Sequence, residues 1–481
     1  MFLGTFCTSK KYPGVRGRVA PEKTGVWGRV GPMAAFPPGD GRISPLEACS
    51  PRKATCRNAV FARKLRSRRL RAIEEKEGDC VKEKKRTLGL YLHIPFCRSK
   101  CLYCDFYSLP SAEEQMDRYV AALCRHLVET APRAACHQVD TVYFGGGTPS
   151  YLGTGRLERL LKTVEKHYAL SRGAEITLEA NPDSLRDWRA VRALRRRGVN
   201  RISLGVQSTD DGELRSIGRV HTFSQVEESV AAVRRGGVQN LSLDLIYGLP
   251  DQTMALWQHT LEQAADLEPE HLSCYGLKVE EGTPLWRMRD TLTLPDDDLQ
   301  ADMYLWAVSF LARRGYEQYE ISNFARSASA SPHNRNYWTL HQYPGFGPGA
   351  YSDFGVVRYA FIRDLAAYCA GVEGGGSLLS ERQEIPARER AREYLMLGLR
   401  TAEGISRRTF EGRFRASFDP VEAVLGRLVV PGYARREGER WRLTPEGFLV
   451  SNQIIGQVLE ALEAERRRRA EAAARGDYRL R

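Results

Sequence analysis

The stretch Tyr91-Leu-His-Ile-Pro-Phe-Cys-Arg-Ser-Lys-Cys-Leu-Tyr-Cys-Asp-Phe106 places cysteines at 97, 101 and 104. The spacing Cys-x3-Cys-x2-Cys lets one short loop wrap three thiolates around a 4Fe-4S cluster and leaves the fourth iron without a protein ligand. Such an iron is a place for chemistry. A zinc site with His93 as fourth ligand is the competing reading, but structural zinc usually draws its ligands from two Cys-x2-4-Cys or His-x3-5-His pairs. Disulfide bonding fits less well still. The chain has eleven cysteines in 481 residues, no apolar stretch of membrane-spanning length and no signal peptide with a clean apolar centre. That combination fits a reduced cytoplasmic protein. Cys124, Cys136, Cys274 and Cys369 then read as buried thiols.

Outward from this loop, short apolar runs alternate with amphipathic stretches, the pattern of a parallel sheet with crossover helices. The strand candidates are Leu88 to Ile94, Thr141 to Phe144, Glu175 to Glu179, Arg201 to Val206, Leu241 to Tyr247 and His271 to Leu277. Between them, Leu157, Leu160, Leu161, Val164 and Tyr168 share one helical face, and glycines at 198 and 237 read as helix stops. Six such units predict an α/β fold, a partial (β/α)6 barrel about three quarters of the eight-unit closed form. Functional residues of β/α barrels collect at the C-terminal strand ends. Here Cys97, Gly145-Gly-Gly-Thr-Pro149, Glu179 and Gln207 stand at or just past strand ends, and Asp244 lies within the fifth strand. Each also has a plain structural reading: a tight turn for the glycines, a helix-entry cap for Glu179-Ala-Asn-Pro182, a satisfied core acid for Asp244.

Taken together and in this order, these elements resemble the radical S-adenosylmethionine (SAM) superfamily, from about residue 88 to about residue 455. Within it, Tyr91-x-His93-x-Pro95-Phe96-Cys97 resembles the branch that holds oxygen-independent coproporphyrinogen III oxidase and the HemW heme chaperones. The resemblance implies that the open iron chelates the amino and carboxylate groups of SAM. It implies that Gly145, Gly146, Gly147 and Thr148 meet the methionyl amino group and that Glu179 accepts from ribose hydroxyls. Gln207, Arg219 and Asp244 then supply further polar contacts, and Tyr91 and Tyr103 pack against the cofactor. Reductive cleavage of a carbon-sulfur bond would be the chemistry of cluster and SAM, with the barrel supplying geometry and a dry site.

Further segments carry the likeness toward the HemW branch: Gly282-Thr-Pro284, Tyr319-Glu-Ile-Ser-Asn-Phe-Ala325, His333-Asn-Arg-Asn-Tyr-Trp338 and Tyr343-Pro-Gly-Phe-Gly-Pro-Gly-Ala-Tyr-Ser352. The expected organisation is a barrel over 87–330, a linking region over 331–388, a small winged-helix-like domain over 389–455 and a charged tail over 456–481. The winged-helix character is implied by the resemblance. Position 106 departs from the oxidase, which carries a further cysteine there where this chain has Phe106. A heme chaperone becomes the leading expectation: heme bound and passed to an acceptor protein, with an electron donor for the cluster and peripheral membrane association only through the acceptor. The oxidase, or a radical enzyme on another substrate, stays as the alternative. His333 is the candidate heme contact, flanked by Tyr337 and Trp338, against the plain reading of a packed, hydrogen-bonded core histidine. His93 is expected to hydrogen-bond near the cluster.

The net charge of +13 resides wholly in residues 1–86, which hold 21 Lys and Arg against 8 Asp and Glu; the remainder balances at 51 and 51. No basic patch is demanded of the folded part, so charge offers no case for nucleic acid there. Residues 1–86 lack apolar periodicity and read as a basic, disordered extension. An organellar transit peptide, a polyanion-binding tail and an extended gene start, with the natural beginning near Val81, remain open for it.

Overall fold

The computed structural model describes residues 86–110 and 112–475. The expectations for residues 1–85 and 476–481 lie outside the described residues. Six strands form the body of the main sheet: β1 (Arg86–Ile94), β2 (His137–Gly146), β3 (Leu170–Ala180), β4 (Arg201–Gln207), β5 (Asn240–Tyr247) and β6 (His271–Gly276). They pair in parallel and in sequence order, as βαβ units must when each crossover has the same hand. Side chains along each strand alternate between two faces. One face is apolar and buried: Leu88, Leu90, Leu92 and Ile94 on β1, Val142 and Phe144 on β2, Ile202, Leu204 and Val206 on β4. Helices cover it, among them Thr154–His167, whose Leu157, Leu160, Leu161 and Val164 are buried as the periodicity predicts. The helix Phe223–Gly236 ends at Gly237 in the left-handed conformation, φ 88°. On the other face, the lumen of the open barrel, the strands present Tyr91, His93, Thr141, Tyr143, Glu175, Glu179, Arg201, Ser203, Asp244, His271 and Ser273. That interior is polar, and most of its groups are hydrogen-bonded to one another, while Thr177 Oγ1 and the Nε and Nη1 of Arg201 have no hydrogen-bond partner.

Three strands extend the sheet beyond the expected six. β7 (Glu317–Glu320) and β8 (Asn323–Ala325) add antiparallel beyond β6, and β9 (Gly345–Phe346) adds parallel to β1. The sheet order is β7-β8-β6-β5-β4-β3-β2-β1-β9, so it stays open. Residues 331–388, expected to link two domains, belong to the barrel body instead. They supply β9, the helix Pro332–Trp338 and the antiparallel sheet β10 (Tyr351–Phe354), β11 (Val357–Phe361) and β12 (Leu379–Glu384). Phe346, Phe354, Phe361 and Tyr368 join the same apolar core as the barrel strands, which fixes this segment in place. Two of the four thiols expected to be buried depart from that reading: Cys136 is exposed and Cys124 half-buried, while Cys274 and Cys369 are buried.

A second, smaller core follows. The antiparallel strands β13 (Ile405–Ser406), β14 (Ala434–Glu437) and β15 (Arg440–Leu443), in the order β13-β15-β14, pack with helices Ala387–Gly398, Arg407–Phe414, Asp419–Arg427 and Ser451–Ala474 around Leu395, Phe410, Phe418, Val421, Leu425 and Trp441. This is a small winged-helix-like arrangement. The expected boundary between 455 and 456 falls inside one continuous helix, Ser451–Ala474. Ile454, Ile455 and Val458 are buried in the second core, so packing continues past the proposed edge and only the later turns are a charged, solvated face. Ile455→Ala is therefore expected to cost about 2–5 kcal/mol, the usual range for truncating a buried isoleucine. Chemical denaturation measures it, and an unchanged midpoint would show that the helix is not part of this core.

Candidate functional site

β1 delivers the chain to the barrel rim at Ile94, and the three-cysteine loop follows. Both arms of the loop are pinned: the Cys97 amide donates to the Leu109 carbonyl (3.2 Å) and the Leu109 amide to the Pro95 carbonyl (2.8 Å). Its middle is held by the Leu102 amide on the Ile217 carbonyl (3.0 Å) and the Leu285 amide on the Leu102 carbonyl (2.9 Å). His93 braces the base. Its Nε2 bonds the Tyr107 carbonyl at 2.9 Å and its Nδ1 the Tyr91 hydroxyl at 3.0 Å. Burial lowers its pKa to about 4, so the ring is neutral at pH 7. With both nitrogens engaged, His93 is a loop brace and not a fourth ligand.

The thiols lie close enough to feel one another: Cys97 responds to Cys101, and Cys104 to both. Burial raises the Cys97 thiol and pushes Cys104 up to about 11. Left to themselves these groups stay protonated, and bound iron would hold them as thiolates. Among the described residues, no three His, Cys, Asp or Glu side chains converge on a single ion. In a cubane each thiolate binds a different iron.

A polar brace joins two of these cysteines. Thr148 Oγ1 donates to Cys97 Sγ (3.4 Å), Asn181 Nδ2 to Thr148 Oγ1 (3.0 Å), Arg219 Nη2 to Asn181 Oδ1 (2.9 Å) and Arg219 Nη1 to Cys101 Sγ (3.3 Å). Among the described residues no carboxylate lies within ion-pair distance of Arg219, and its Nε has no hydrogen-bond partner. A cation so placed fits an anionic group at this rim, either the thiolate-ligated cluster or the carboxylate of SAM. Gln207 sits at φ 70°, a left-handed backbone rare outside glycine. Its side chain folds back over Gly205, where an added Cβ would lie 3.0 Å from Gln207 Nε2 and 3.0 Å from Asn181 Oδ1. Gln207, Arg219 and Asn181 thus converge over a glycine. Asn181 carried no functional signal in the sequence beyond its place at the end of β3, before a proline.

The glycines at the end of β2 serve close packing. A Cβ on Gly147 would lie 2.7 Å from the Phe96 carbonyl oxygen and 2.9 Å from that of Ile94, both backbone atoms that cannot give way. Gly146, at φ 114°, leaves its amide free to donate to Glu179 Oε2 (3.0 Å). Glu179 Oε1 accepts from the Tyr143 hydroxyl (2.8 Å). Burial pushes Glu179 up to about 7. Asp244 stands deeper in the lumen and accepts from Ser203, Ser242 and Ser273, at 2.9, 3.2 and 2.7 Å, and burial raises its pKa. Those serines already occupy acceptor positions that a ribose would use. Tyr103 packs with Ile217, Ile246 and Leu249 beside the cluster loop, and Phe106 is 46 % exposed.

His333 is elsewhere. The helix Pro332–Trp338 sits over the N-terminal strand ends, across the lumen from the cysteines, with the His333 amide donating to Glu175 Oε1 (3.2 Å). The ring is 1 % exposed, with Nδ1 on Thr141 Oγ1 (2.8 Å) and Nε2 on the Tyr337 hydroxyl (2.9 Å). An iron reaches neither nitrogen unless one of these bonds is given up.

Two outcomes follow from this geometry. Asn181→Ala leaves Thr148 and Arg219 each short of a partner, at about 1–3 kcal/mol, and is expected to keep the three thiols but lose iron faster on dilution; iron retention equal to the parent would contradict the brace. Glu179 binds its proton more tightly in the folded state, about 7 against an ordinary 4.5. Its contribution to apoprotein stability is therefore complete below pH 4.5 and lost as pH rises through 7. Glu179→Gln should show a smaller fall in melting temperature between pH 5.5 and 8 than the parent, and an identical fall would place the titration elsewhere.

Residues 91–264 match the radical SAM superfamily and residues 385–450 the HemN C-terminal domain. The first match implies a 4Fe-4S cluster and SAM. The heme chaperone HemW of Bacillus subtilis is 35 % identical over 376 residues, covering 77 % of this chain and 99 % of that protein. HemW of Escherichia coli is 34 % identical over 374 residues, covering 76 % and 97 %. Among solved structures, coproporphyrinogen III oxidase (HemN) of Escherichia coli superposes with a TM-score of 0.69 at 24 % identity over 78 % of this chain and 90 % of that one, a likeness of fold. Matched over nearly the whole length of such relatives, the chain belongs to the HemW family of the radical SAM superfamily.

Proposed function

We propose that this protein binds heme and passes it to an acceptor protein, and that its 4Fe-4S cluster and SAM accompany that role. Phe106 carries the choice within the fold. The oxidase that the loop resembles has a cysteine at this place, whereas this chain presents an exposed ring, 46 % accessible, with no thiol to offer. The curated relatives matched along their length carry the name heme chaperone.

Cys97, Cys101 and Cys104 would hold three irons, and Gly146, Gly147, Thr148, Gln207 and Arg219 would surround SAM on the fourth. Tyr91, Tyr103 and Asp244 complete that set at one remove, through His93, the loop packing and the lumen serines. When bound, this pair supplies one-electron chemistry at the sulfonium. The chain's own part is positional. Arg219 holds a fixed positive charge beside Cys101, Thr148 and Asn181 orient the sulfur of Cys97, and Glu179 holds a proton with a pKa near the working pH. An electron donor must meet the rim from solvent, and the heme acceptor supplies any membrane contact: among the described residues no helix is long and apolar enough to cross one. A cytoplasmic setting suits the free thiols. Heme contact at His333 requires the ring to leave Thr141 or Tyr337.

With the cluster reconstituted anaerobically, the protein should bind about one heme per chain and leave coproporphyrinogen unconverted when SAM and reductant are present. Absorption titration and product analysis measure the two. SAM-dependent decarboxylation without heme binding would make the protein an oxidase despite Phe106.

A further inference from the structure

The helix Pro332–Trp338 and the cofactor rim stand at opposite ends of the lumen, yet one line of contacts joins them. His333 stacks on Tyr143, centroids 4.9 Å apart and planes at 21°. Tyr143 hands its hydroxyl to Glu179 (2.8 Å), and Glu179 takes the Gly146 amide (3.0 Å) in the glycine turn at the end of β2. Tyr143 also lies face to face with Tyr91 at 6.3 Å, and Tyr91 bonds His93, the brace of the cysteine loop. Two glycines make room for this line. A Cβ at Gly89 would meet Thr141 Oγ1 at 2.9 Å and the His333 ring at 3.4 Å, and one at Gly145 would meet Tyr143 at 2.8 Å and Glu179 at 3.0 Å. Any side chain at either place would drive the column apart.

From this geometry we infer that His333 is a positioning residue for SAM: its buried ring sets Tyr143, Tyr143 sets Glu179, and Glu179 sets the glycine turn that meets the cofactor. The chemistry favours a fixed element. The His333 ring has one partner at each nitrogen, and the helix that carries it is tied by Ser331 and the His333 amide to Glu175. Displacing the ring would take one hydrogen-bond partner from Thr141 and one from Tyr337 and remove the face on which Tyr143 rests. The inference rests on the proposed placement of SAM at the rim and adds to it the far end of the barrel. It also gives His-Asn-Arg-Asn-Tyr-Trp a purpose that needs no iron.

The test uses the full chain with its cluster reconstituted, comparing parent, Glu179→Gln, Tyr143→Phe, His333→Ala and the Tyr143→Phe/His333→Ala double variant. Iron content, SAM affinity by calorimetry, the change in the reduced cluster's electron paramagnetic resonance spectrum on adding SAM, and heme titration are read for each. Tyr143→Phe keeps the ring and removes only the hydroxyl, so it remains informative if His333→Ala folds poorly. Each single change is expected to weaken SAM by roughly five- to tenfold, the loss of about one hydrogen bond. The double variant should be little worse than either single one, since both cut the same line, and heme binding should persist in Tyr143→Phe and Glu179→Gln. Unchanged SAM affinity in Tyr143→Phe and His333→Ala, with Glu179→Gln weakened, overturns the column while leaving SAM at the rim. Effects that multiply in the double variant overturn it as well, and so does a His333→Ala protein that loses heme but binds SAM normally. Unchanged affinity in Glu179→Gln removes SAM from this rim and the inference with it.

Discussion

A barrel that lacks two of its eight units has to satisfy a polar interior from within itself. Hydrogen bonds buried in that lumen are the constraint on which the remainder depends, because each unpaired polar group there costs on the order of 1–3 kcal/mol. The solution is layered along the strands. Near the N-terminal ends, Glu175 caps the helix that carries His333, and Arg201 lies 3.9 Å from the same carboxylate. In the middle, three serines satisfy Asp244, and His271 bridges Ser242 to Tyr319. Toward the C-terminal rim, Glu179 takes Tyr143 and Gly146. Donors without a hydrogen-bond partner remain at both ends, Arg201 Nε and Nη1 near the N-terminal strand ends and Arg219 Nε at the rim beside the cysteines.

Much of this was legible in the sequence because it rests on local pattern. Short apolar runs located β1 to β6, and cysteine spacing located the loop; both signals are read within a few residues. What stayed hidden is long-range. β9 is two residues long and reaches β1 across more than 250 positions, so no local pattern betrays it. The supposed linking region has a moderate apolar content, but only the folded chain shows Phe346 and Tyr368 entering the barrel core. Asp244 illustrates the opposite case. Its place in an apolar strand signalled something polar, and the three serines that answer it were the plain alternative that sequence alone could not separate from a cofactor contact.

His333 and Asn181 carry the same lesson at the site. A histidine beside tyrosine and tryptophan invites a heme reading, yet the ring is 1 % exposed because Gly89 has cleared space for it and two hydroxyls meet its nitrogens. Asn181, by contrast, looked like a turn residue before proline and turns out to link Thr148 with Arg219, and through them Cys97 with Cys101. Roles set by which side chains meet across four strands are invisible in any one stretch.

The central claim is that three thiolates hold a cluster whose fourth iron is open to SAM. Mössbauer spectroscopy of the iron-57 protein tests it without reference to any turnover. With three irons bound by Cys97, Cys101 and Cys104, about one quarter of the absorption should belong to a distinct site, and adding SAM should move that component alone. Four irons that stay indistinguishable after SAM is added would contradict the account.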